Sequence, residues 1–294
     1  MSLEEIFKSA DEKEQKTALS KEDWRAKKSE ERKDIYTLAD SAAETVSSNG
    51  DLFKAYLSVQ SRFDRYSITN ALLIWAQKEN ATKLKDFESW KKDGVFVKSG
   101  EKGISILEPG EEYTRKDGTV ATTYNVKKVF DISQTNAEQK PEPKVSTDER
   151  LLLKALIQNC DIQIQTVDTI KNNMGAYFDS TENKIYVCRG LSLNEAFCNI
   201  AKEIAHAKFA KANGEHYFRK SFEIPAASAS FILCKKYGVN TEHFSFEKVT
   251  QYFEGNTPKS IREKLAEIKE TSGNMSKQMH RFFEQQRKEK EAER

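Results

Sequence analysis

Ala201-Lys202-Glu203-Ile204-Ala205-His206-Ala207 has the spacing of a zinc-binding helix with one ligand exchanged. In an intact H-E-x-x-H pattern, two histidines four residues apart share a helix face and hold Zn²⁺. The glutamate beside the first polarises the attacking water. Glu203 and His206 occupy the places of that base and of the second ligand, and Lys202 occupies the place of the first. An ammonium does not ligate zinc at neutral pH, and its charge repels the ion. The flanking residues predict the helix itself. Ser192 is its cap, and Ala196, Phe197, Ile200, Ile204 and Ala207 form its apolar face.

Outward from that helix, the second half of the chain reads as α+β. Asp148 caps a helix through Leu151, Leu152, Ala155 and Leu156, and Ile162–Val167 has strand character. Gly175–Phe178 and Lys184–Val187 predict a hairpin around Ser180–Asn183, and a further helix covers Ala226–Tyr237 before Gly238. From Pro258 a long charged helical pattern carries sparse apolar positions: Ile261, Leu265, Ile268, Met279, Phe282 and Phe283. Such a pattern predicts a loosely docked, solvated helical tail over 257–294.

Residues 136–147, rich in Pro and charge, read as a linker between two domains, 34–135 and 148–256. The first domain opens with helical stripes (Ile35, Leu38, Ala39, Ala42; Leu52, Tyr56, Val59; Ile68, Leu72, Leu73, Ala76). Gly50 closes the first of these helices and Asp51 caps the next. The period then becomes β-like in Val95–Val97, Ile104–Leu107 and Val126–Ile132, with Pro109-Gly110 among the turns. Asp117-Gly118 predicts a hairpin between Glu111–Lys116 and Thr119–Tyr124. The fold class is therefore α+β in two domains: helices plus a small antiparallel sheet, then a second α+β unit with a helical tail. Residues 1–33 form a charged arm, read as a solvated helix or a disordered segment.

Composition limits the function classes. Hydrophobic residues make up 37% of the 294 and charged residues 32%, which points to two modest cores rather than one large globule. A net charge of +2 provides no global field toward nucleic acid, so any such binding rests on a local patch. The four cysteines, Cys160, Cys188, Cys198 and Cys234, form no C-x-x-C pair and read as reduced core thiols. No basic leader or membrane-length apolar run is present, so a cytoplasmic location is expected, with no membrane partner.

The first domain carries a local patch of the required kind. Single strands are held by aromatic platforms and by cations that follow the phosphates. Lys91, Lys92, Lys98 and Lys102 are interleaved with Phe87, Trp90 and Phe96, and Arg62, Arg65 and Tyr66 form a second basic-aromatic group. Trp90 reads as platform or core, and for Phe96 and Phe130 core is the better reading. Asn70 reads as a base contact or as a loop lock. Acidic neighbours (Asp86, Glu88, Asp93, Glu101) predict modest, salt-sensitive affinity.

Three segments, Ser67–Ile74 with Asn70, Val95–Ile104 after Trp90, and Val129–Thr135, resemble the N-terminal domain of ArdC/LtrC-type antirestriction proteins. The family pattern runs S-x-x-N, a tryptophan, V-x-K-G-E-K-G, then F-D-x-x-Q-T. The second half resembles the zincin-like metallopeptidase domain that accompanies it, through Gly175, Tyr177, Phe178 and Asp179, the 201–207 helix, and Glu223–Ser228. The resemblance implies a single-stranded-DNA-binding module of a mobile genetic element that protects incoming DNA. It also implies a third metal ligand where Ala227 stands, so Lys202 and Ala227 remove two of three ligands and leave His206 alone. A site rebuilt from neighbours would draw on Cys198, His216 or Glu223, but Cys198 lies about 12 Å from His206 along the helix. The expectation is a pseudoenzyme with no zinc or other cofactor, whose partners are single-stranded DNA and a host or element-encoded protein. The alternatives are a metallopeptidase with a rebuilt site and a protein-interaction module that blocks a host factor.

Overall fold

The computed structural model describes residues 20–137, 148–158 and 160–292. The first nineteen residues of the charged arm and residues 138–147 of the linker lie outside these. Ser20 caps α1 (Lys21–Ser47), so the helix begins within the 1–33 arm. α2 (Gly50–Arg62) is capped by Asn49, whose side chain accepts from the Asp51 and Leu52 N–H groups. Gly50 therefore opens α2 instead of closing α1. Its hydrogen is needed because a Cβ there would lie 2.8 Å from the Phe246 carbonyl oxygen. α3 (Ile68–Lys78) follows with Ser67 as cap.

β1 (Leu84–Lys85), the short α4 (Phe87–Lys92), β2 (Ile104–Thr114) and β3 (Val120–Asp131) complete the first half. The sheet is antiparallel in the order β1-β3-β2. Pro109-Gly110 does not end a strand: β2 runs through it with an irregularity between Pro109 and Glu112. Proline is tolerated there because β2 is an edge strand that needs no ladder hydrogen bond on its free side. Val95–Val97 forms no strand, only a single bridge from Val97 to Thr135.

The second half begins with α5 (Glu149–Gln158), then β4 (Gln163–Val167), β5 (Ala176–Asp179) and β6 (Lys184–Cys188). β6 is central, parallel to β4 and antiparallel to β5. α6 (Leu193–Asn213) starts with a capping box between Ser192 and Glu195 and is followed by two short 3₁₀ turns (Gly214–His216, Arg219–Phe222). α7 (Glu223–Lys236), α8 (Val249–Phe253) and α9 (Pro258–Ala292) close the chain. No helix among the described residues is long and apolar enough to cross a membrane.

Composition points to two cores, but the largest buried cluster crosses from one half into the other. Phe53 of α2 meets Phe246 and Phe253 with ring centroids 5.2 and 5.8 Å apart. Lys54 donates to the Phe244 carbonyl at 2.8 Å, and Lys236 pairs with Asp64 at 2.6 Å. Two smaller clusters, around Val59–Ile106 and Ala39–Leu107, sit under the first sheet. The tail departs from its predicted loose docking. Ile261, Leu265, Ile268, Ser272, Met275, Met279 and Phe282 are all buried. Their 4-3-4-3-4-3 spacing is a heptad seam, whose narrow stripe buries a helix that looks too polar on average.

Candidate functional site

Two places carry chemistry: a basic rim on the first half and an ionic cluster on α6. On the rim, the residues that resemble a recognition motif do structural work. Asn70 donates from Nδ2 to the Leu107 carbonyl and accepts the Leu107 N–H at Oδ1, both at 2.8 Å. Gln77, two turns later, makes the same pair with Ser105 at 2.9 Å. These two amides satisfy the outer edge of β2, so Asn70 is buried and is a lock rather than a base contact. Trp90 is only 2% exposed, and its indole N–H donates to the Phe130 carbonyl at 2.9 Å. Trp90 therefore offers no open face for stacking; it anchors α4 to β3.

Phe96 departs from its predicted core position and is 55% exposed. Phe87 is 49% exposed, leaning edge-on to Phe130 at 6.5 Å. Lys91, Lys92, Lys98, Lys102 and Arg65 are exposed and form no salt bridge among the described residues. Lys98 and Lys102 sit on a turn held from beneath: the Lys98 N–H donates to the Gln134 carbonyl, and Gln134 Nε2 donates to the Lys102 carbonyl, both at 2.9 Å. Asp131 secures the same corner by accepting from the Thr82, Lys83 and Ser133 N–H groups. Burial pushes its carboxyl up, but these hydrogen bonds outweigh burial and hold it below the usual carboxylate range.

Arg62 is drawn away from the rim: its guanidinium donates to the Ala81 and Glu79 carbonyls beyond α3. Tyr66 and Lys92 instead meet in a cleft of about 500 Å³ with Lys85, Ser89 and Lys127. Lys127 pairs there with Asp86 at 3.1 Å and Glu108 at 2.9 Å. Hydrogen bonds from Ser89, with Lys127, hold Asp86 down at about 2.

The α6 cluster is held together by ion pairs and hydrogen bonds among its own side chains. Glu203 is 1% exposed. It accepts the Phe178 N–H of edge strand β5 at 2.8 Å and a two-pronged contact from Arg219 at 2.7 and 2.8 Å. The guanidinium lies 4.7 Å from the Tyr177 ring centroid. His206 has no exposed side-chain surface; its Nδ1 lies 3.0 Å from the Tyr217 hydroxyl and its Nε2 3.3 Å from Glu223 Oε2. Burial pushes the His206 pKa down, so the ring is neutral, taking the Tyr217 proton bond at Nδ1 and donating from Nε2. Lys202 does not compensate Glu203, the acid next to it in sequence. Lys202 Nζ lies 2.5 Å from Glu223 Oε1, because the turn after α6 supplies Arg219 to Glu203. The His206 hydrogen bond and the Lys202 ammonium hold Glu223 down at about 2. Ala227 lies half-buried one turn beyond Glu223 on α7 and presents only a methyl group.

Arg219 and Tyr217 are the residues that sequence reasoning missed as parts of the cluster; Glu223, one of the neighbours it named, joins Lys202 and His206 there. A signal was available for one of them: a buried Glu203 on an apolar helix requires a cation, and the loop after α6 offers Arg219. No group of three or more His, Cys, Asp or Glu side chains suited to a metal ion occurs among the described residues. Cys198 and Cys234 are buried free thiols, their sulfurs 3.4 Å apart.

Residues 43–152 match the family described as the N-terminal domain of anti-restriction factor ArdC. The Bacillus anthracis uncharacterized protein pXO2-81 is 25% identical over 289 residues, covering 80% of this chain and 49% of its own length. The chain thus spans about half the length of that curated relative. The crystal structure of the antirestriction ArdC protein from plasmid R388, metal-free, superposes with a TM-score of 0.52 at 19% identity, covering 74% of this chain and 86% of its own. Its Mn(II)-bound structure gives 0.53 at 18% identity, with 73% and 85% covered. At this identity the likeness is one of fold.

Proposed function

We propose that this ArdC-type protein binds single-stranded DNA through the basic rim of its first half and acts, without catalysis, as an antirestriction factor of a mobile genetic element. The division of labour would follow the chain: residues 34–135 engage the strand, and 148–256 with the tail serve as scaffold and as a surface for a host or element-encoded protein. The cytoplasm is where such a protein would meet incoming DNA.

One observation carries the reading. Phe96 and Phe87 are open aromatic faces in a segment whose exposed cations, Lys91, Lys92, Lys98 and Lys102, are not spent on internal carboxylates. Stacking on aromatics together with phosphate-tracking cations is the physical basis of sequence-tolerant single-strand binding. Rigid anchoring of the rim by Trp90 and Gln134 lowers the ordering cost of binding.

The R388 relative has a Mn(II)-bound structure, but the residues here do not fit a comparable ion. A catalytic site needs three protein ligands and an open position. In this chain an ammonium stands at 202 and a methyl at 227, and both acids, the buried Glu203 and the partly exposed Glu223, are already paired with cations. Peptide hydrolysis is therefore not part of the proposal.

Fluorescence titration with a short labelled oligonucleotide at about 50 and 200 mM salt tests the reading. Affinity for the single strand that falls with salt is expected. Absence of binding at the lower salt removes the DNA function and leaves the protein-interaction reading.

A further inference from the structure

The cleft beside the rim has a different chemistry from the rim itself. Its floor is apolar: Ile106 and Val129 belong to the small core under the first sheet, and Leu84 packs against it. Lys127 lies opposite Ile106 in the β2–β3 ladder, and Glu108 is two residues on from Ile106, so both continue the same sheet face past that core. Tyr66 forms a wall. Its ring is half-buried and meets the buried Phe63 edge-on at 5.7 Å, and its carbonyl accepts from Lys269 Nζ of α9 at 2.7 Å. Its hydroxyl lies in the field of Lys127 and Asp86 and has no hydrogen-bond partner among the described residues.

The charges around the cleft cancel. Lys85, Lys92 and Lys127 stand against Asp86, Asp93 and Glu108, and Lys85 and Lys127 are already paired with those acids. A phosphate gains little by entering a neutral cleft. A flat ring with hydrogen-bonding edges suits an apolar floor, an aromatic wall and a volume of about 500 Å³. The polar side also has an order. Lys127 Nζ bridges Asp86 Oδ2 at 3.1 Å and Glu108 Oε2 at 2.9 Å, which presents acceptor, donor, acceptor in a row. Hydrogen bonds hold Asp86 ionised and push Lys127 up, so the carboxylate only accepts and the ammonium only donates. Cytosine and adenine carry an amino donor beside a ring-nitrogen acceptor and complement two successive places in this row. Uracil and thymine carry carbonyl, N–H, carbonyl, and meet it like against like.

We propose that the cleft is a base-selective subsite of the strand-binding surface: it takes one amino-bearing base, cytosine or adenine, against Tyr66, while the exposed Lys92 holds the adjoining phosphate. The proposal rests on the single-strand reading and adds selectivity at one position to a rim whose stacking is sequence-tolerant.

Full-length protein is titrated with fluorescently labelled oligo(dC) and oligo(dU) of equal length at about 50 mM salt. Cytosine and uracil differ only along the edge that would face the row. The native chain is expected to bind oligo(dC) at least about fivefold more tightly, the lower end of what one matched pair gives against a wrong base. Asp86→Asn combined with Glu108→Gln should abolish most of that ratio, whereas Phe96→Ala should weaken both oligonucleotides alike and keep it. Should the double variant not fold, Glu108→Gln alone, at a partly exposed position, carries the test and should reduce the ratio. Equal affinity of the native chain for the two oligonucleotides, or a preference that survives loss of the carboxylates, overturns the proposal while the DNA reading stands. Absence of binding to either oligonucleotide overturns both.

Discussion

Arg219 meets Glu203 with both guanidinium prongs, Nη1 to Oε2 at 2.7 Å and Nη2 to Oε1 at 2.8 Å, and joins the loop after α6 to the middle of that helix. The carboxylate also receives the Phe178 N–H, so loop, helix and edge strand converge on one buried acid. A buried charge that keeps its partner is close to neutral for stability, whereas removing one partner is costly. Arg219→Ala is therefore expected to lower unfolding free energy by about 3–5 kcal/mol, measured by urea denaturation. Arg219→Lys, which loses the fork but keeps the charge, should fall between. A loss below about 1 kcal/mol, the scale of an exposed pair, would mean that the site opens to water when Arg219 is removed.

Acid should destabilise the protein in two steps, both from this cluster. The pKa of buried His206 is below its ordinary 6.5, so below 6.5 the unfolded chain takes up a proton that the folded chain refuses, and stability falls as pH falls. The pKa of Glu223 is depressed to about 2 by the His206 hydrogen bond and Lys202. Its contribution is present above the ordinary value of 4.5 and is lost as pH falls toward 2. Melting temperature measured from pH 7.5 to 3 should decline on both limbs. His206→Gln should flatten the upper limb, and Glu223→Gln the lower. A midpoint that does not change between pH 7 and 5 contradicts the assignment of a neutral buried His206.

The limits of sequence reading can be seen at particular residues. The capped, amphipathic α6 and the Asp117-Gly118 hairpin were legible because their signals are local: a cap, a period, a turn dipeptide. The burial of α9 was not, since its seam includes Ser272, is flanked by the buried Thr271, and depends on what packs against it. Pro109-Gly110 read as a turn because edge position, which makes proline harmless, is a property of the whole sheet. At the α6 cluster, the loss of a ligand at Lys202 was plain and Glu223 was one of three neighbours named, whereas which of them meets Lys202 and His206 depends on how two helices are set against each other. Long-range pairing of this kind leaves no periodicity to read.

Asn70 gives a test of the lock reading. Both of its bonds go to the backbone of Leu107, buried beneath α3. Asn70→Ala strands one N–H and one carbonyl, each costing about 1–3 kcal/mol, so a loss of about 2–4 kcal/mol is expected in thermal or chemical unfolding. At temperatures where the variant remains folded, oligonucleotide affinity should change less than threefold. A large affinity loss with unchanged stability would return Asn70 to the DNA interface.

Phe96 and Trp90 should separate binding from stability in opposite directions. Phe96 is more than half exposed and supports no buried cluster, so Phe96→Ala should leave unfolding free energy within about 0.5 kcal/mol of native. The same change should weaken single-strand binding by about 1–3 kcal/mol, the value of one stacked base. Trp90 is buried against β3 with its N–H satisfied by Phe130, so Trp90→Ala should cost about 3–5 kcal/mol of stability and affect DNA only through unfolding. Lys98→Ala and Lys102→Ala, on the turn held by Gln134, should each reduce the dependence of log affinity on log salt by somewhat less than one unit. Titrations at several salt concentrations, paired with denaturation curves for each variant, give all these values. Equal effects of Phe96→Ala and Trp90→Ala on affinity at matched folded fraction would argue that the strand does not stack on this rim.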